Sequence, residues 1–343
     1  MKNSYEKEIE NINKEISIVK QLDEVNSSLR KYNWVFLHPY CQVFEINTLK
    51  RIISENDDTE EKILTHFAKR FLDLRSTIHF IDGFISTRPF LKDYKLSIEE
   101  SVILCLQKDF NGAINTLIPV IEGTLRKLLI DKKGIHKTVE IDISELLKVF
   151  NYLTEDYIKL QKEYLQNRYK NSDKYFDKNQ EKNILKKHKE YYELWTKQFI
   201  DYVRDNLYAN TKNNNITDPF NRHVIFHSLN DKIDYSLANY LRLFNCIHLL
   251  SWSIGSIYKK CSILSDANEE DVLNKWVDYF NILIVSESLT ETKRNIYNNK
   301  TIRDFKNYLT PEIEKLLTQP KLKIDTILKT YHFIKKEYDK HGN

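Results

Sequence analysis

The chain has 343 residues, of which 41% are hydrophobic and 30% charged, and its formal net charge at pH 7 is +4. This composition is typical of a soluble globular protein, and a charge of +4 does not by itself indicate a nucleic-acid partner. The four cysteines are far apart and form no CxxC pair, which excludes a metal site of that type and predicts reduced, buried thiols rather than a disulfide framework. The chain has only 6 Gly and 6 Pro, the residues that favour tight turns, so long helices are expected.

The N-terminus is charged and no apolar run follows it, which predicts that the chain carries no signal peptide. The most apolar stretch, residues 241–257, is broken by Arg242, Asn245 and His248. It therefore predicts a buried helix rather than a membrane span. We expect a cytoplasmic protein with no membrane partner.

Hydrophobic residues at three- and four-residue steps predict an amphipathic helix over residues 5–30. This helix is expected to pack on its own domain, because the pattern covers too few heptads for a coiled coil. A short extended or irregular piece from Trp34 to Pro39 follows. Residues 59–85 again show helical spacing and predict a second long helix.

Ser97 is followed by Glu99 and Glu100, a capping-box pattern that predicts a helix from Ser97 to about Lys108. Asp109 is expected to bend or re-cap the chain. A long apolar helix is predicted over residues 113–130. Within it, Glu122 and Arg126 are four residues apart, so they share a helix face and can pair, either on the surface or in a polar cleft.

Residues 154–205 are dense in lysine and tyrosine. Residues 159–197 contain eleven Lys or Arg against six Asp or Glu, with tyrosines interleaved. Basic residues with aromatics can hold single-stranded RNA through phosphate charge and base stacking. A solvated helical hairpin whose aromatic side chains pack inward is the favoured alternative. If RNA does bind, Lys186, Lys187, Lys189 and, further along, Arg242 are the candidate contacts.

A mostly apolar helix bearing Asn239, Arg242 and His248 is predicted over residues 235–260, and several helices broken at Pro311 and Pro320 are predicted from 267 to 340. No stretch alternates with period two over several strands. The sequence therefore predicts an all-α fold.

The most informative stretch is Asn221–Ser228, which reads Asn-Arg-His-Val-Ile-Phe-His-Ser. It follows Asp218-Pro219, a helix-start signal, because Asp caps free N–H groups and Pro fixes the backbone of the first helical residue. Arg222, His223 and His227 are thus expected in the first turns of a helix, where the dipole and free N–H groups favour an anion such as phosphate.

Metal-free RNA cleavage needs a proton carrier and a group that stabilises negative charge on phosphate. A histidine titrates near working pH, and an arginine offers two parallel hydrogen bonds to phosphate oxygens. Arg222 and His227 lie about 140° apart around an ideal helix, but the long arginine side chain can reach the same cleft. His223 and His227 share a face, which leaves a zinc pair as a rival interpretation; no third ligand is evident nearby.

This stretch fits the Rx4–6H pattern of HEPN domains and resembles the NRHxILH form of a bacterial subset. Residues 113–126 and 239–250 are similar to the flanking helices of that subset. Ser228 stands where the subset usually has Gly, and His223 where Asn is commoner. The resemblance covers roughly residues 95–135 and 215–260.

The resemblance implies an HEPN-like helical bundle over residues 93–262, with a Lys/Tyr-rich helical insertion at about 150–212. Helical regions at 1–92 and 263–343 would extend it. Arg222 and His227 would be the catalytic pair. Their supporting residues would be those that shape the helix start and line the cleft: Asn221, His223, Glu122 and Arg126.

By the same resemblance, the expected function is a metal-independent endoribonuclease of toxin or phage-defence type that needs no cofactor and leaves 2′,3′-cyclic phosphate and 5′-hydroxyl ends. RNA would be the substrate. The protein would be a homodimer with a composite active site, and a phage-derived or protein trigger could control it. The alternative is a non-catalytic helical module for RNA or nucleotide binding or for dimerisation.

Overall fold

A computed structural model describes residues 4–37, 43–55, 57–134, 142–169, 177–208, 235–258 and 265–298. Every regular element in these ranges is helical and none is a strand, which confirms the predicted all-α class. The chain divides into two compact units. The first comprises residues 1–105 and 109–272, and the second comprises residues 106–108 and 273–343.

The α-helices are numbered in chain order and are joined by short 3₁₀ and π segments. Their bounds are α1 Ser4–Leu29, α2 Val43–Glu55, α3 Thr59–Phe71, α4 Leu74–Ile78, α5 Lys95–Leu106, α6 Phe110–Lys133, α7 Ile143–Leu147, α8 Val149–Tyr169, α9 Lys178–Tyr202, α10 Leu237–Gly255 and α11 Glu269–Asn298. Two π-helical segments, His79–Phe84 and Val203–Leu207, continue α4 and α9.

Helix α1 confirms the amphipathic helix predicted at the N-terminus. Its buried stripe includes Ile12, Ile16, Val19 and Leu22 at the expected spacing. This stripe packs mainly against α9 and also against α2. Helix α1 is therefore a packed element of the first unit, as the sequence predicted.

The piece from Trp34 to Leu37 has no regular secondary structure, in agreement with the extended or irregular piece predicted here, and all four of its residues are buried. Its backbone groups are paired by two asparagine side chains. Asn26 on α1 accepts from the Phe36 N–H at 2.7 Å and donates to the Phe36 carbonyl at 3.1 Å. Asn245 on α10 donates to the Val35 carbonyl at 2.8 Å and accepts from the Leu37 N–H at 3.3 Å. These side chains replace the partners that a helix or a sheet would supply.

Two predicted helix boundaries are wrong. The helix predicted over residues 59–85 is interrupted after Phe71, because the Asp73 side chain accepts from the Ser76 N–H at 2.8 Å and caps a new helix, α4. Ser97 does not begin a helix either. The 3₁₀ turn Lys92–Tyr94 leads directly into helical backbone at Lys95, so Ser97 lies inside α5.

Helix α6 begins at Phe110, three residues before the predicted start at residue 113, and Asp109 re-caps the chain as expected: its carboxylate accepts from the Gly112 N–H at 3.1 Å. It ends at Gly134, whose φ of +63° is the left-handed conformation that glycine adopts at low cost. One side of α6 is buried and packs against α10. These two helices form the core on which the flanking pieces of the first unit are assembled.

Helices α8 and α9 pack against each other, and most of their aromatic residues face inward, as the favoured alternative for this segment predicted, although Tyr164 is exposed. Tyr157, Tyr192 and Trp195 are buried, and the Tyr157 and Tyr192 rings are stacked with centroids 4.6 Å apart. Tyr192 also stacks on Trp252 of α10 at 5.5 Å. The tyrosines of this basic segment thus serve mainly as core.

In the second unit, residues 106–108 lie beside the described part of α11. The Ser286 hydroxyl donates to the Leu106 carbonyl at 2.7 Å. Trp276 and Phe280, one turn apart, stack with ring centroids separated by 5.2 Å.

No helix in the described ranges is long and apolar enough to cross a membrane. Cys105 and Cys246 are buried free thiols, as predicted, and burial raises the pKa of Cys105 to about 12. Cys41 and Cys261 lie outside the described residues.

We expect the change Asn26→Ala to lower the free energy of unfolding by about 2–3 kcal/mol, because it strands the buried N–H and carbonyl of Phe36. Asn13→Ala is the matched control, since Asn13 is an exposed residue of the same helix and should change stability by less than about 0.5 kcal/mol. Urea denaturation of both variants measures the difference. Equal losses of stability in the two variants would show that Asn26 does not hold the segment Trp34–Leu37.

Candidate functional site

The predicted catalytic centre lies outside the described residues. Asn221, Arg222, His223 and His227 all fall in the range 209–234, so their roles stay predictions. The structure describes the chain on both sides of this range. It enters from the π-helical turn Val203–Leu207 and leaves into α10, whose first turn is capped by Ser236.

The two helices that carry the flanking resemblance are in direct contact. Helix α6 packs on α10 within the first unit. Most of α10 is buried, including the polar residues Asn239, Arg242 and Asn245. The range that holds the motif is therefore joined directly to a helix of the core.

Glu122 and Arg126 lie on α6 and are both half-buried. Gly123, next to Glu122, is in close contact with Tyr94, because a Cβ at this position would lie 2.1 Å from the Tyr94 Oη. The Lys127 Nζ lies 4.5 Å from the centre of the Tyr94 ring and donates to Asp93 at 2.8 Å. This hydrogen bond to Asp93 raises the pKa of Lys127. Glu122 and Arg126 thus lie beside a polar patch formed with the turn Lys92–Tyr94.

Arg242, a predicted RNA contact, is only 9% exposed. Its guanidinium donates to the Tyr32 carbonyl at 2.9 Å and to Asn239, and it lies 4.8 Å from the centre of the Trp34 ring. These contacts join α10 to the segment that follows α1. The placement of Arg242 favours a structural role over contact with RNA.

The three predicted lysines lie close together on α9, with Lys186 and Lys189 exposed. Lys187 and Lys189 form ion pairs with acidic residues of the same helix, at 3.0 Å and 3.7 Å. The Lys187 partner, Glu190, also pairs with Lys20 of α1 at 2.8 Å, and hydrogen bonds from both lysines lower the pKa of Glu190. Part of the positive charge of this face is therefore compensated within the fold.

Within the described part of the chain, no group of three or more His, Cys, Asp or Glu residues is arranged to hold a metal ion. The rival zinc pair, His223 and His227, lies outside that part.

No protein-family model, no curated protein and no solved structure matches this chain. The HEPN resemblance therefore depends only on the motif and the two flanking segments.

The structure contains a partly enclosed cavity that the sequence did not reveal. Its volume is about 220 Å³, and it lies where α3, α4 and the π-helical segment meet α10. Its lining combines aromatic rings, hydroxyl groups and two guanidinium groups: Arg70, Phe71, Ser76, Thr77, Phe80, Phe84, Arg88, His248, Ser251 and Trp252.

These lining residues come from two segments, 70–88 and 248–252, that are far apart in sequence. The only local signal was Asp73, which could have been recognised as a helix cap inside an otherwise periodic stretch. These two segments are brought together by tertiary packing, and the spacing of hydrophobic residues along the sequence does not predict such packing.

His248 belongs to the wall of this cavity. Its ring stacks on Phe80 with centroids 3.6 Å apart and also contacts Phe71 and Phe244. Burial among these rings, with a smaller effect of Arg70, lowers the pKa of His248 to about 3. The imidazole is therefore neutral at physiological pH.

This shift predicts a pH dependence of stability. Below pH 6.5 the unfolded chain binds a proton at residue 248, whereas the folded chain binds it only near pH 3, so stability is lost as the pH falls through this window. We expect His248→Gln to reduce the slope of unfolding free energy against pH by about 1 kcal/mol per pH unit between about pH 6 and pH 5. Urea denaturation at several pH values measures both slopes. Identical slopes would contradict a neutral His248 in the folded protein.

Proposed function

We propose that this protein is a metal-independent endoribonuclease of the HEPN type in which Arg222 and His227 act on the scissile phosphate. The observation that carries the proposal is the order of residues in Asn221–Ser228, directly after the helix-start signal Asp218-Pro219. This order places a fixed cation and a titratable imidazole close to an anion-favouring helix start.

The proposed reaction uses the 2′-hydroxyl of the RNA as the nucleophile. The 2′-oxygen forms a bond to phosphorus, its proton passes to a base, and the bond from phosphorus to the 5′-oxygen breaks. The 5′-oxygen leaves with a proton, so the products are a 2′,3′-cyclic phosphate and a 5′-hydroxyl. His227 would transfer the proton, and Arg222 would bind the phosphate oxygens as their negative charge increases.

The described structure supports this proposal by giving the motif a fixed attachment. Ser228 is eight residues before Ser236, which caps α10. Helix α10 is held by its packing on α6 and by the hydrogen bonds of Arg242 and Asn245 to the segment after α1. Catalytic groups work best when they are attached to rigid elements.

Asn221 and His223 would shape the helix start, and Glu122 and Arg126 would line the cleft. We propose a homodimer in which two Arg–His motifs face one RNA-binding cleft, with activity in phage defence or growth arrest released by a phage-derived or protein trigger. These roles follow from the family resemblance.

We expect the triggered protein to cleave RNA in the presence of EDTA and to leave an otherwise identical DNA strand intact, because DNA lacks the 2′-hydroxyl. Arg222→Ala and His227→Ala should each lower the cleavage rate by at least about 100-fold. Arg222→Lys should also lose most activity, since an ammonium cannot form the paired hydrogen bonds of a guanidinium. Gel analysis of a labelled oligonucleotide measures the rates and the chemistry of the new ends.

His223→Ala is the matched control within the motif, because it distinguishes the proposed pair from a zinc site. In the proposed mechanism it should lose less activity than His227→Ala. If His223→Ala and His227→Ala lost equal activity and EDTA inhibited the wild type, the metal pair would be supported instead. RNA that is bound but never cut, even with the trigger present, would support the non-catalytic binding module.

The composite site predicts complementation between inactive variants. Mixing Arg222→Ala protomers with His227→Ala protomers, under conditions that allow subunit exchange, should restore measurable cleavage, because a mixed dimer holds one Arg222 and one His227 in the same cleft. Cleavage assays of the mixture and sedimentation of the wild type measure this. A monomeric, active wild type whose variants fail to complement would exclude the dimeric site.

A further inference from the structure

The cavity lined by segments 70–88 and 248–252 has the features of a small-molecule site. Its aromatic side is formed by Phe80 and His248, stacked at 3.6 Å with an interplanar angle of 10°, together with Phe71, Phe84 and Trp252. Phe84 and Trp252 are half-buried, so part of this aromatic surface is open to solvent. Flat, apolar groups fit such a surface.

The positive charge of the cavity lining comes from Arg70 and Arg88. Arg88 is 3% exposed, and its Nε donates to the Ser251 carbonyl at 3.2 Å while Nη1 donates to the Thr87 hydroxyl at 3.2 Å. The Arg88 guanidinium is also in close contact with α10 at Gly255, where a Cβ would lie 2.6 Å from Nε. The fold thus holds a guanidinium group in a fixed place at the cavity.

Arg70 lies nearer to solvent, with its side chain 37% exposed, and its Nε is 3.5 Å from Glu45. Of the ten described residues that line the cavity, two are arginines and none is a carboxylate. His248, the other titratable group in the lining, is neutral at physiological pH. The lining therefore presents net positive charge next to aromatic rings.

The backbone of the cavity wall is also unusual. Phe80 and Phe84 lie on the π-helical segment His79–Phe84. Such segments are rare and occur often at functional sites. This observation is independent of the charge of the lining.

We propose that this cavity binds a small aromatic carboxylate. The planar guanidinium groups match the two oxygens of a carboxylate, and the rings match its flat body. An apolar cavity of about 150 Å³ holds benzene. The 220 Å³ found here therefore accommodates one ring and a carboxylate group. The proposal does not depend on the ribonuclease activity.

The test uses the full-length protein and two probes of nearly equal shape, benzoate and its neutral analogue benzamide. We expect benzoate to bind with a Kd on the order of 0.1–1 mM, as its few atoms allow, and benzamide to bind at least about tenfold more weakly. Saturation-transfer NMR detects binding, and titration of tryptophan fluorescence gives the affinities. Acetate, which carries the charge without the ring, should bind much more weakly than benzoate.

Arg70→Gln should weaken benzoate binding about tenfold and leave benzamide unchanged, because it removes one charged hydrogen-bond donor. Arg75→Gln is the matched control. Arg75 is a neighbouring arginine, also ion-paired, at 2.8 Å to Glu269, but it does not line the cavity. Gly255→Ala should also weaken benzoate binding, since the added methyl group displaces Arg88.

Two outcomes would overturn the proposal. One is equal affinity for benzoate and benzamide, or no binding of benzoate at about 10 mM, far above the expected Kd. The other is a loss of benzoate affinity in Arg75→Gln that is as large as the loss in Arg70→Gln. The Arg70 and Arg75 side chains are both partly exposed, so the comparison holds even if Gly255→Ala fails to fold.

Discussion

The buried, non-helical backbone of Trp34–Leu37 is the constraint on which the first unit depends. A polar backbone group buried without a partner costs about 1–3 kcal/mol, and this segment has no helix or sheet of its own to supply partners. Asn26 and Asn245 pair its N–H and carbonyl groups from α1 and α10. Because the two asparagines lie on different helices, the segment fixes α1 and α10 relative to each other.

This constraint connects the two proposed sites through α10. The first half of the helix follows the Arg–His stretch and is held by Arg242 and Asn245. The second half carries His248 and Trp252, which form part of the cavity wall. A rotation of α10 would break the asparagine hydrogen bonds and also separate His248 from Phe80. The packing that holds α10, the helix that follows residues 209–234 in sequence, therefore also shapes the cavity.

The sequence predicted those features whose causes are local. The stripe on α1 and the cap at Asp109 depend on neighbours within a few residues, and both are confirmed. The break at Asp73 was missed because helical spacing continues on both sides of it. The cavity could not be predicted, since its walls meet only through tertiary contacts. The catalytic pair was proposed from sequence alone and falls outside the described residues.

A count of charged residues along the chain does not locate an anion site, because neighbouring acidic residues can compensate the positive charges. Residues 159–197 of the Lys/Tyr-rich segment contain eleven Lys or Arg against six Asp or Glu, yet Lys187 and Lys189 pair with glutamates on the same helix. An exposed pair of this kind is screened by solvent and presents little net field. Arg70 and Arg88 are only two cations, and Arg70 also pairs with Glu45 at 3.5 Å, but both border a partly enclosed, aromatic cavity whose own lining contains no carboxylate and whose lower dielectric strengthens their field. The shielded, aromatic surroundings of these two arginines, rather than the number of lysines, therefore favour the cavity as a site for an anion.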